Sequence, residues 1–221
     1  MTGRALLLVG SGGLAAEALE AVRAAGVHHV VGVLDEDPAT HGRRLLGVPV
    51  LGGLEVAATT DAELVLCPGQ GDARGRLRRC LEDEGAAPGR FATIVHPDVR
   101  VPASCEVSPG CIVLGGVVLT ARIRLGHDVV LMPGVVLTHD VEVADQGTLA
   151  SGVLAGGGVK VGRAAYLGAG ASVRQGLTIG DGAMVGMGAV VLDHVPAGRL
   201  WFGQPARDRG AWPPPPGAGP A

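Results

Sequence analysis

From Val95 to Val191 every sixth residue is aliphatic, and Ala155 is the only small member of the series. A helix repeats at 3.6 residues and a strand at 2, so neither holds one phase for roughly a hundred residues; a parallel β-helix of six-residue units does. Three units make one triangular coil, so residues eighteen apart stack. One column is Val95, Val113, Leu131, Leu149, Leu167 and Val185; the second is Val101, Leu119, Leu137, Ala155, Val173 and Val191; the third is Val107, Leu125, Val143, Val161 and Ile179. Residues four places further on, Cys105 and Cys111 among them, point inward too. Aromatics make up 2% of the 221 residues while glycine reaches 38, which suits a core of stacked small aliphatics. Glycines directly after the repeat residue, such as Gly126, Gly162 and Gly168, are read as giving the corners a permissive backbone. No coil is interrupted by an insertion, so a catalytic groove is expected where faces of neighbouring subunits meet.

The pattern before residue 90 is different, which favours two units. Ala5 to Val9 is a short apolar run, followed by Gly10-Ser11-Gly12-Gly13 and a helical pattern through Leu14, Ala18, Leu19 and Val22 that ends near Gly26. Val30 to Leu34 reads as a second strand closed by Asp35-Glu36-Asp37, and Leu64 to Leu66 as a further strand running into Pro68-Gly69-Gln70-Gly71. A glycine turn between strand and helix lets a phosphate approach backbone N–H groups at a helix N-terminus. The fingerprint is met only in its Ala-ended variant, Gly10, Gly12 and Ala15, and some ninety residues are short for a full dinucleotide domain. Half a Rossmann unit, suited to a nucleotide or nucleotide sugar, is the expectation. The helix from Arg74 to Glu84 is read as carrying its charges on a solvated face.

A net charge of −3 gives no basic footprint for nucleic acid. There is no apolar run of ~18 residues, and Met1 to Val9 lacks the charged start and cleavage site of a signal peptide, so a cytoplasmic protein that neither spans nor binds a membrane is expected. The four cysteines have no Cys-x-x-Cys spacing and read as free thiols, Cys105 and Cys111 buried.

Of seven histidines, His28, His29, His41, His96 and His194 fall at strand starts, loops or the ends of the prism. His127 and His139 both sit two places after a repeat residue and point outward. Stacking separates them: His139 lies between Ala121 and Gly157, within Gly156-Gly157-Gly158, whereas His127 lies beside Pro109 and Asp145. Small neighbours leave an open trough around His139, and Asp140 can fix its tautomer, so His139 is the candidate general base. The two histidines occupy different faces and no third follows at a useful spacing, so no metal is expected.

Several segments together resemble one family. They are the strand-Gly-x-Gly-Gly-helix start, Ile94-Val95-His96-Pro97, Gly134-Val135-Val136-Leu137-Thr138-His139-Asp140, Leu154-Ala155-Gly156-Gly157-Gly158-Val159-Lys160-Val161-Gly162, and Val195-Pro196 with Gly203-Gln204-Pro205-Ala206-Arg207. The chain is similar to bacterial hexapeptide-repeat acetyltransferases that modify nucleotide-linked amino sugars or sialic acid. The resemblance implies an α/β half-Rossmann domain over residues 1–90 and an all-β left-handed parallel β-helix over 91–207; the Pro- and Gly-rich composition beyond reads as a disordered tail over 208–221. It also implies a homotrimer, with acetyl-CoA in a groove between two prisms and a nucleotide sugar in the N-terminal domain. His139 falls on the family's base and Asp140 on its partner. Gly12, Gly13, Asp35, Glu36 and Gly69 would line the nucleotide site; Thr148, Gly157, Ala169, Met187 and Arg207 would lie along CoA.

Leu14 and Thr148 stand where members often carry histidines, and Met132-Pro133-Gly134 replaces a common Asn-Thr-Gly. Thr148 can still donate a hydrogen bond to a carbonyl, without charge. The leading reading is N-acetylation of a UDP- or GDP-4-amino sugar in surface-glycan synthesis, followed by O-acetylation of sialic acid or a related sugar. A non-catalytic scaffold that binds a nucleotide is the reading from another class; a nicotinamide oxidoreductase is contradicted by the short nucleotide unit.

Overall fold

The structure is a computed structural model that describes residues 3–212. Its first unit is a five-stranded sheet in which β1 (Arg4–Val9) lies between β2 (His28–Leu34) and β5 (Glu63–Leu66), parallel to both. Beyond β2 come β4 (Val48–Gly52), parallel to it, and β3 (Arg44–Leu45), antiparallel to β4. Leu6 to Val9 are all buried, as expected of a central strand covered on both faces. Helix α1 (Gly13–Ala25) buries Leu14, Ala15, Ala18, Leu19 and Val22, and Gly26 ends it at φ 65, donating its amide to Val22 O. The β3–β4 hairpin is not among the expected strands. It turns on Leu46 and Gly47, both at positive φ, and the short run around Pro49 hides it from a search for apolar segments.

The second unit is a triangular prism of two-residue strands whose partners lie eighteen residues apart, as in Leu131↔Leu149 and Leu137↔Ala155. The first face carries Ile112–Val113, Val130–Leu131, Thr148–Leu149, Tyr166–Leu167 and Met184–Val185. The second carries Val118–Leu119, Val136–Leu137, Leu154–Ala155, Ser172–Val173 and Val190–Val191. The third carries Glu106–Val107, Arg124–Leu125, Glu142–Val143, Lys160–Val161 and Thr178–Ile179. The expected columns form one continuous core from Val113 onward. They are looser at the start: Val101 is 38% exposed and lies in no strand, although Val95 and Val107 of the same first coil do.

The glycine expectation is corrected. From 110 to 188 every residue three places after the repeat position has positive φ, as at Gly134 and Gly158, and these make the corners. Glycines one place after the repeat residue do a different job. A Cβ on Gly162 or Gly168 would stand 2.5 Å from the backbone nitrogen of Asp181 or Met187 on the next coil, so close approach, not dihedral freedom, requires them.

Ile112 and Val130, pointing out from the first face, share a buried cluster with Leu14, Ala18 and Val22 of α1, so the N-terminal unit is seated on that face. Helix α2 (Gly71–Asp83) lies along the edge between the first and third faces. Asp72, Arg76, Arg79 and Asp83 lie on a solvated face as expected, but two arginines do not: Arg74 is fully buried and Arg78 nearly so. Arg74 donates to the carbonyls of Pro68, Gly69, Asp128, Gln146 and Gly147 and to Thr148 Oγ1. Burial pulls this guanidinium down to about 10, so it stays charged at neutral pH. Arg78 grips the buried Asp128 carboxylate through Nε (2.6 Å) and Nη2 (2.8 Å).

Beyond the last coil, Arg199–Gly203 pairs antiparallel with Ala206–Ala211. Residues 208–211 of the expected tail are therefore in a strand, held by an Arg199–Asp208 ion pair. Residues 213–221 lie outside the described residues. All four cysteines are free thiols; Cys111 is fully buried, whereas Cys105 is partly exposed.

Candidate active site

Two groups of candidate residues form, at separate places. One is a cavity of about 540 Å³ between the N-terminal unit and the first face. Gly12, Gly13, Asp35, Glu36 and Gly69 all line it, with Tyr166, Met132 and Thr148 from the prism. Gly12 and Gly13 are exposed, and the first amides of α1 have no partner within the helix, which makes this end of the cavity suited to an anion. Asp35 reaches back to the glycine turn: Oδ2 accepts from the amide and hydroxyl of Ser11, and Oδ1 from the amide of Asp37. Burial raises its pKa, but these bonds outweigh it and hold the carboxyl below its ordinary value. Glu36 faces Arg76, which donates to both of its oxygens and keeps it ionised. Among the described residues Arg76 is the one basic side chain lining the cavity.

Thr148 belongs to this cavity and not to the outer edges of the prism. It is 1% exposed; Oγ1 accepts from Arg74 Nη2 (2.9 Å) and donates its only proton to Gly69 O (3.0 Å). A hydroxyl so committed cannot also donate to a thioester oxygen, which corrects the role expected of it.

The second group is on the edge between the second and third faces. Here the His139 imidazole lies against Gly157: a Cβ on that glycine would stand 2.5 Å from Cε1 and Nε2. The backbone ladder fixes this register, with Asp140 N donating to Ala121 O and Gly158 N to His139 O. His139 Nδ1 and Asp140 Oδ2 are 2.8 Å apart. Asp140 also accepts from Arg122 Nε at Oδ1 (2.6 Å) and from Nη2 at Oδ2 (2.9 Å). The Arg122 bonds, followed by that of His139, hold the carboxyl well below the usual carboxylate range. An ionised carboxylate only accepts, so Nδ1 carries a proton, and in the neutral ring the free lone pair is on Nε2.

Ala169 and Met187 stack on the remaining edge, between the first and second faces; Gly188 N donates to Ala169 O, and Met187 is 79% exposed. Gln204 caps this edge by donating to Gly188 O (2.7 Å), and Arg207 is exposed on the strand that follows. Three other histidines are tied locally: His28 Nε2 to Glu63 (2.6 Å), His41 to Asp35 O, and His194 Nδ1 accepts from Thr178 N. Asp145 takes the amide of His127 and stands 3.4 Å from its Nδ1. Among the described residues no three His, Cys, Asp or Glu side chains converge to hold a metal ion.

The solved structure of GDP-perosamine N-acetyltransferase from Caulobacter crescentus, in complex with CoA and GDP-perosamine, superposes with a TM-score of 0.86. The two are 32% identical over 93% of this chain and 97% of that one. The chain belongs to the hexapeptide-repeat sugar acetyltransferases. The acetyltransferase also shares the fold of the acetyltransferase domain of PglB from Neisseria gonorrhoeae (TM-score 0.83, 24% identity, 94% and 100% covered). WeeI from Acinetobacter baumannii is more distant, with a TM-score of 0.64 at 24% identity over 93% and 100%. No protein-family model and no curated protein sequence matches. Membership removes the scaffold and oxidoreductase readings.

Sequence reasoning missed Arg74, Arg76, Ser11 and Arg122. Arg74 shares a helix face with Leu77, Arg78 and Leu81, a spacing that marks a buried stripe. Arg122 was within reach of the eighteen-residue rule, which places it directly beneath Asp140.

Proposed function

We propose that this acetyltransferase moves the acetyl group of acetyl-CoA onto the amine of a nucleotide-linked 4-amino sugar, with His139 as general base. The observation that carries the reading is the imidazole itself: exposed, seated on Gly157, with its tautomer set by an ionised Asp140. Nε2 takes a proton from the amine as nitrogen bonds to the thioester carbonyl carbon. The tetrahedral centre then collapses, the C–S bond breaks, and the proton passes to the departing CoA thiolate. The N-acetyl reading is preferred to O-acetylation of a sialic acid because the 32%-identical neighbour is an N-acetyltransferase.

In this reading residues 1–90 act as a half-Rossmann nucleotide domain and residues 91–207 as a left-handed β-helix, in a cytoplasmic enzyme of surface-glycan synthesis. The acceptor nucleotide occupies the cavity at Gly12, Gly13, Asp35, Glu36 and Gly69. Acetyl-CoA runs past Gly157 and the edge of Ala169 and Met187, toward Arg207. The edge bearing His139 is the one opposite the face that carries the cavity, so one prism cannot bring base and acceptor together. A homotrimer answers this, with His139 of one subunit serving the cavity of the next. An apolar stripe broken only at Ser172 supports it: Val118, Val136, Leu154 and Val190 point outward on the second face, and Val118 and Leu154 are about half exposed (47% and 48%).

The test is thiol release from acetyl-CoA with GDP-perosamine and with a UDP-4-amino sugar as acceptors. His139→Ala should lower kcat by roughly 100- to 10,000-fold without weakening acetyl-CoA binding. Unchanged turnover in that variant would remove His139 from the reaction.

A further inference from the structure

The corner conformation that glycine adopts so readily is forced on five other residues between 110 and 188: Arg122, Asp128, Asp140, Gln146 and Ala164. A left-handed backbone disfavours a β-carbon, and arginine has no local hydrogen bond to offset it as aspartate can. Three of the five, Asp128, Gln146 and Ala164, lie on the edge along which α2 packs, where they meet Arg74, Arg78 or Gly71. The other two, Arg122 and Asp140, are stacked on the edge that carries His139. There Arg122 makes a two-pronged pair with both oxygens of Asp140 although more than half of its side chain is in solvent. Above Asp140 the column continues as Gly158, so no side chain there competes for the carboxylate.

We propose that Arg122 is a positioning residue for acetyl transfer: it clamps Asp140 so that Oδ2 meets His139 Nδ1 in one orientation, and it withholds part of that negative charge from the imidazole. The inference rests on His139 being the general base. Unclamped, the carboxylate would turn freely about its own side chain and lend its full charge to the ring, so the imidazole would hold a proton at higher pH and the base would be silenced there. Arg122 is the cation in direct contact with Asp140, and the other charges nearby are engaged elsewhere or further off. On the third face Arg124 and Glu142 are paired with each other, with Glu106 and Lys160 on the rungs to either side. Arg174 is two coils above, and the second face presents Val118, Val136 and Leu154.

The test is the pH dependence of kcat/KM for Arg122→Gln, Arg122→Lys and Arg122→Gly, with acetyl-CoA and GDP-perosamine. In Arg122→Gln and Arg122→Gly the acid limb should move up by about half to one pH unit and kcat at the optimum should fall about 10-fold. Arg122→Lys keeps the charge and loses the fork, so its limb should stay while kcat falls. Arg122→Gly relieves the left-handed backbone and should melt no lower than the parent, which keeps folding out of the comparison. An unmoved acid limb in both Arg122→Gln and Arg122→Gly overturns the proposal, whatever happens to kcat. His139→Ala measured alongside separates the two readings: if it is inactive while Arg122→Gln behaves as the parent, only the role of Arg122 falls; if it is active, the assignment of the base falls.

Discussion

The imidazole of His139 rests on Gly157, the residue eighteen places on, with room for no β-carbon between them. Gly157 is not at a positive φ, so Gly157→Ala is free of backbone strain and acts on the ring alone. It should push Nε2 back by about 1 Å to reach ordinary contact and cut kcat about 100-fold while the melting temperature holds. Parent-like turnover in Gly157→Ala would mean that the position of the ring is not what the trough secures.

Arg74 joins the two units. Its guanidinium supplies the donors for five carbonyls and one hydroxyl, and all of them are left without it in Arg74→Met. Urea unfolding should show a loss of about 3 kcal/mol or more. Thr148→Val removes the donor to Gly69 O and should cost about 1 kcal/mol, with a smaller effect on kcat than His139→Ala. A Thr148→Val enzyme as slow as His139→Ala would restore the thioester role denied to it above.

Four carboxyls are held below their ordinary values: Asp35 despite its burial, because of Ser11; Glu36 by Arg76; Asp140 by Arg122; and Asp208 by Arg199. A carboxyl lowered in the folded state binds protons less readily there than in the unfolded chain. Its stabilising contribution is therefore full above the unfolded value, near 4, and is lost as pH falls toward the folded one. Melting temperature should be insensitive to these groups from pH 6 to 8 and drop below about pH 4. Removing Arg122 and Arg76 together should shrink that drop; an unaltered acid profile would count against these pairs as its source.

The second face tests the assembly. Leu154→Asp places a charge in the middle of its apolar stripe, where a partner prism would bury it. Light scattering should find a trimer in the parent and smaller species in the variant, with activity lost in proportion. A monomeric but active parent would refute the shared site.

Much of this was legible in one dimension because a solenoid turns spacing into neighbourhood: eighteen residues along the chain are one step up the prism. The columns, the Gly157 floor and the contrast between His139 and His127 all follow from that rule. It also reaches Arg122 beneath Asp140, once applied to Asp140 as well as to His139. The rule misassigned the corner glycines because position in the hexad does not say whether a glycine serves its own backbone or the coil above it.

The periodic half of the chain thus determined the prism and where His139 stands on it, since each coil's contacts are with its nearest neighbours in the repeat. The tertiary structure decided what covers the first face. Arg74 and Thr148 lie seventy-four residues apart and in no common repeat. Burying a guanidinium requires acceptors gathered from several segments at once, and only the docking of α2 against the prism's edge collects them. That same docking closes the cavity on the face away from His139.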